Sequence, residues 1–200
     1  MTMPPRLRKF ALTAHVASSV GWLGAVVVFF SLAIVGLSSQ DAQTVRGAYI
    51  AMGSTTWLVL VPLSFASLVT GIVQSLGTQW GLFRHYWVVI KFVITVFATY
   101  ILWGYTSTLT GLADTAAAQT TISNGDLAML RSPSVVVHSG VALLLLLVTT
   151  TLSVYKPRGM TRYGQRKQRQ QRRQRQQDQQ PEQRAVLVGT SARAVASGHD

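Results

Sequence analysis

Four long apolar runs separated by short polar breaks occupy the first three-quarters of this chain. They extend from about Phe10 to Leu37, Ala48 to Leu76, Tyr86 to Thr110 and Ser134 to Tyr155. A membrane-crossing helix needs about 20 predominantly apolar residues, and each run is long enough. In hydrocarbon every backbone N–H and C=O must be satisfied within its own segment, so the runs read as helices. Short connections favour antiparallel neighbours. The fold class expected is therefore all-α: a polytopic membrane protein built as a four-transmembrane-helix antiparallel bundle. The connection from about Gly111 to Pro133 is longer. Its Ala116-Ala117-Ala118 and Asn124-Gly125-Asp126 predict a short surface helix and a turn.

The small residues within the runs say which faces pack. Helices in lipid associate where Gly, Ala and Ser let backbones approach. The first run carries Ala11, Ala14, Ser18, Gly21 and Ala25 at spacings of three and four, with His15 beside that row. The second carries Ser64, Ser67, Gly71 and Gln74, and Pro62 predicts a kink near its middle. The aliphatic run Leu143 to Val148 in the fourth supplies lipid-facing and core surface.

Charge changes the picture at the ends. Between Phe10 and Tyr155 only Asp41, Arg46, Arg84, Lys91, Asp114, Asp126 and Arg131 are charged, although the 200-residue chain carries a net charge of +12. The excess lies in Arg6, Arg8 and Lys9 and in the segment from Lys156, which holds eleven basic and three acidic residues. Lys and Arg concentrate in cytoplasmic flanks. Both termini and the connection containing Arg84 are expected on the cytoplasmic side of a plasma membrane. Residues 1–9 form the N-terminal flank, 10–155 the transmembrane domain and 156–200 an Arg/Gln-rich tail. The basic start of the first run suggests a signal peptide. At 28 residues, however, the run exceeds the roughly 7–15 of a signal core, so it reads as a retained span. The tail has too few apolar residues to bury a core and is expected to be disordered or transiently helical. Anionic lipid is its expected partner. Non-specific RNA contact is compatible with its charge, and sequence-specific nucleic acid is not expected. Ala185 to Val188 is too short for a further span. The chain has no cysteine, which excludes disulfides, thiolate zinc sites, iron–sulfur clusters and cysteine nucleophiles.

The candidate chemistry comes from ionisable groups placed where lipid should be. Such groups usually face the bundle interior and mark a pathway or cofactor. At about 1.5 Å per residue, His15 and Lys91 lie roughly 7–8 Å inside the cytoplasmic boundary. Gln74 and Thr70, on the second run, fall near the same layer. Trp22 and Trp87 ring it, and Arg84 and His85 stand at its mouth. A neutral imidazole facing a bundle core can be an axial ligand of haem iron. A nearby Lys or Arg can pair with a propionate. A short His–Lys proton relay fits the same layer. His138, near the outer end of the fourth run, is too far from His15 to share one metal. With Met52 it makes a weaker candidate metal site of its own.

The pattern His15-x5-Gly21-Trp22-Leu23-Gly24, with Arg84-His85-Tyr86-Trp87-x3-Lys91, resembles a group of four-helix bacterial membrane proteins over roughly Phe10 to Tyr155. The group contains uncharacterised integral membrane proteins, HemJ-type protoporphyrinogen oxidases and CopD-type copper-resistance proteins. The resemblance implies haem b on His15, with Arg84, Trp87 and Lys91 as essential positions. Here two residues separate Arg84 from Trp87, where the HemJ-type enzymes have the two adjacent. Three readings follow: a haem-associated redox protein, a permease component for a small solute or metal ion, and a non-catalytic scaffold. The last would pair with itself or with another membrane protein through its small-residue faces.

Overall fold

The computed structural model describes residues 3–77, 82–118, 124–155, 159–174, 176–177 and 179–180. Six α-helices make up the membrane domain. They are α1 (Pro5–Ser38), α2 (Ala42–Thr55), α3 (Val61–Gly77), α4 (Tyr86–Ala118), α5 (Asn124–Leu130) and α6 (Ser134–Tyr155). A single π-helical turn, Thr56–Leu60, joins α2 to α3, so the two act as one crossing. Among the described residues, four helical segments are long and apolar enough to cross a membrane: Pro5–Ser38, Ala42–Gly77, Tyr86–Ala118 and Ala128–Tyr155. Only 28% of the first apolar stretch and 22% of each of the others is buried within the protein. That much bare apolar surface needs lipid around it, and the chain is a multi-pass membrane protein.

The crossings form a four-sided bundle. α1 packs on α2–α3 and on α6, and α4 packs on the same two neighbours, so α1 and α4 face each other diagonally. The core is strongest towards the end away from the termini. There Phe29, Ala33, Val45, Tyr49, Met52, Leu109, Leu112, Ala116, Leu130 and Val135 interlock. Met52 is 1% exposed, and Ala116 and Leu130 are fully buried.

Several boundaries differ from those expected, each for a local reason. α2 begins at Ala42 because Asp41 caps it, accepting from the Gln43 and Thr44 amides at 3.3 and 3.0 Å and from the Thr44 hydroxyl at 2.6 Å. α4 continues to Ala118, past the expected end near Thr110. Leu112 and Ala116 bury against α2, and Arg46 binds the terminal carbonyls of Ala116 and Ala117 at 2.8 and 3.3 Å. The expected surface helix in the long connection is α5; the three alanines belong to α4 instead. α5 is held by the Tyr49 hydroxyl on the Leu130 carbonyl, and Arg131 reaches the Ser39 carbonyl at 2.6 Å. Pro62 distorts the second crossing as expected. Its missing N–H and its ring cannot sit in a regular helix. The preceding turn widens so that the Val61 amide bonds the Thr56 carbonyl five residues back.

In the tail, residues 162–174 are helical. Residues 181–200, including the 185–188 stretch, lie outside the described residues.

Candidate functional site

The site is built on the seam between α1 and α3. The two expected small-residue rows border it: Ser18 of the first meets Thr70, and Ser67 and Gly71 of the second meet Ser19 and His15. Ser19 and Ser67 hydroxyls are 2.8 Å apart, and those of Ser18 and Thr70 are 3.3 Å apart. A Cβ on Gly21 would touch Leu63 at 3.3 Å, and one on Gly71 would stand 3.1 Å from Cε1 of His15. Gly71 therefore opens the niche in which the imidazole lies.

The hydrogen bonds around His15 fix its tautomer. Thr70 has one hydroxyl proton, directed at the Ala66 carbonyl at 2.6 Å. Towards His15 Nδ1, 3.2 Å away, the same oxygen can then only accept. Nδ1 therefore carries the proton and Nε2 keeps its lone pair. Orientation of a histidine through its other nitrogen is the arrangement typical of metal ligands and bases.

Lys91 enters the same end of the bundle from α4. Its ammonium donates to the Ser153 hydroxyl at 2.6 Å, and that hydroxyl donates on to the Thr149 carbonyl at 2.8 Å. One of the ammonium's three N–H donors is thus engaged by Ser153. His15 and Lys91 are both half-buried. Each is steadied by a different neighbour, α3 for His15 and α6 for Lys91. Gln74 lies one turn beyond Thr70 on α3. Its buried Oε1 finds no hydrogen-bond partner among the described residues, and neither does Nε1 of Trp22, which is 3% exposed.

The remaining candidates lie elsewhere. Trp87 is half-buried, one turn before Lys91. The Arg84 guanidinium extends along the tail and donates to Gln171 Oε1 at 3.2 Å. His138 belongs to the opposite end. Its ring stacks on Tyr105 at 4.3 Å between centroids, and its Nδ1 donates to the Ser134 carbonyl at 2.8 Å. Met52 sits in the apolar core on a crossing diagonal to α6. Among the described residues no three His, Asp or Glu side chains come together. Sequence reasoning missed Ser153 and Thr149. The signal was available in the antiparallel register of α4 and α6, which places residues near 153 beside Lys91.

A haem needs an imidazole nitrogen with a free lone pair, and His15 Nε2 meets that donor requirement. Of the two candidate cations, Lys91 bonds Ser153 within the bundle and Arg84 bonds Gln171 of the tail. No family model matches the chain, and no curated protein or solved structure matches it either.

Proposed function

We propose that this protein is a haem-b-associated redox protein of the plasma membrane, with both termini and the His15–Lys91 layer on the cytoplasmic side. The orientation is supported by the crowding of Lys and Arg at the end that carries both termini. The haem reading rests on one observation above all: the Thr70 hydroxyl is committed to Ala66, so His15 presents Nε2 as its free nitrogen. His15 would bind the iron and Lys91 would neutralise a propionate. When bound, the group supplies reversible one-electron exchange. The chain's own contribution is to hold the ring through Thr70, to make room for it at Gly71, and to keep one cation, Lys91, in the same water-poor layer.

The test is the visible spectrum of protein purified from haem-replete cells, oxidised and reduced. A Soret band that disappears in His15→Ala and weakens in Lys91→Met supports the reading. A colourless preparation overturns it.

A further inference from the structure

The tail helix is fastened to the membrane domain by a clasp that the redox reading does not use. Met160 pairs with His85 in an antiparallel bridge, and the Thr161 amide donates to the Arg84 carbonyl at 3.1 Å. The Thr161 hydroxyl has two tasks. It donates to the Phe83 carbonyl at 2.5 Å, and it accepts from the Gly164 amide at 3.1 Å, which caps the helix. Gly164 is buried directly against the Arg84 carbonyl, where any Cβ would collide. Two turns further, Gln171 accepts from Arg84. Thr161, Gly164 and Gln171 therefore mark the docked face of the helix, at spacings of three and seven.

The opposite face is a row of arginines. Arg162, Arg166, Arg169 and Arg173 repeat at spacings of four, three and four, and all are exposed. At 100° per residue they centre about half a turn from Gly164, facing away from the membrane domain. The row spans about 16 Å at 1.5 Å per residue. Asp41 and Asp114, the carboxylates whose side chains are described, sit at the other end of the bundle. The helix has no apolar face of the kind an interfacial membrane helix inserts, Tyr163 being its only large apolar residue. Its other side chains are mainly glutamines, polar groups suited to a wet groove.

We propose that this clasped helix binds the phosphate backbone of RNA, without reading its sequence, through Arg162, Arg166, Arg169 and Arg173. Guanidinium forks match phosphate geometry, and a helix already ordered at its cap avoids part of the ordering cost that a free basic tail would incur.

The test uses full-length protein in nanodiscs of phosphatidylcholine, which removes anionic lipid as a competitor, with a fluorescein-labelled 20-nucleotide oligouridine read by anisotropy. Four phosphate contacts to a single strand give a log–log salt slope of about −3, so raising salt from 50 to 200 mM weakens binding about fifty-fold. Replacing the four arginines together by Gln should weaken binding at least ten-fold at 50 mM salt and flatten the slope by about 3. All four are exposed, so the bundle remains folded, which far-ultraviolet circular dichroism checks. Absence of binding, or an unchanged slope in the four-Gln variant, overturns the proposal. So does trypsin protection of the tail by nanodiscs containing phosphatidylglycerol when RNA gives none, which would assign the arginines to lipid. None of these readouts depends on haem.

Discussion

The two ends of this bundle are held together differently. At the end away from the termini, α1, α2, α4, α5 and α6 meet through Tyr49, Met52, Leu112, Ala116, Leu130 and Val135, and polar groups there mainly seal helix ends. At the basic end, α1 and α3 meet through serines, Thr70, Gly71 and His15, and α4 reaches α6 through Lys91 and Ser153. Between helices in lipid, association comes from close packing, and interhelical hydrogen bonds add about 0.6 kcal/mol each on average. The apolar end should therefore carry most of the stability, leaving the basic end free to hold chemistry.

That contrast can be broken most directly at Met52. Met52→Ala should cost about 2–5 kcal/mol, as cavities in packed cores do, measured by reversible unfolding in mixed micelles. A loss below 1 kcal/mol would mean that the apolar end does not dominate. Gly53 gives the next largest effect. Its Cβ would stand 2.5 Å from that of Ala113, so Gly53→Ala forces α2 and α4 apart at a cost of about 1–3 kcal/mol. At the basic end, Thr70→Val should cost only about 0.6 kcal/mol in the same assay, yet it should alter any Soret band by freeing the imidazole. A larger loss would make the polar seam structural. Gly24→Ala is expected to be neutral within about 0.5 kcal/mol, because nothing lies within 4 Å of the new methyl. A clear loss there would reveal a partner on that face.

The smallest effect is one of pH, at the cap of α2. The exposed Asp41 carboxyl is held below its ordinary range, first by the Thr44 hydroxyl and then by the Thr44 and Gln43 amides. A lowered folded value means that the stabilisation is complete above the ordinary carboxylate range and is lost as pH falls through the folded value. The protection of the Gln43 and Thr44 amides relative to unstructured peptide exchange should fall over that acid range in the wild type, and the pH step should vanish in Asp41→Asn.

The small rows marked faces that pack without saying which helix meets them, whereas the crossings were legible because lipid leaves few alternatives for about twenty apolar residues. Their limits were less so. Asp41 and Arg46 extend α2 and α4 through bonds to chain 2 to 71 residues away, which hydropathy does not encode. In the site, His15 and Lys91 stood out because their charge is out of place. Their separate partners did not, since Thr70 and Ser153 look like any hydroxyl in a helix until the register between neighbours is known. Arg84 was placed at the mouth of the layer; that its guanidinium donates to Gln171 of the tail depends on how the tail folds back, which the sequence does not encode.

The widened turn at Thr56–Leu60 behaves as one surplus residue lodged in the second crossing. Deleting a single residue there would remove the surplus, since four residues of ordinary helix turn the chain about as far as the five of the widened turn. Thr70 and Gly71 would then stay beside the imidazole, with Asp41 and Tyr49 still in their places. The turn thus absorbs a change of chain length without altering the rotational phase between the half that anchors the protein and the half that holds His15. A deletion in the regular helix of α3 between Pro62 and Thr70 has no such buffer and should swing Thr70 and Gly71 off the histidine by about 100°.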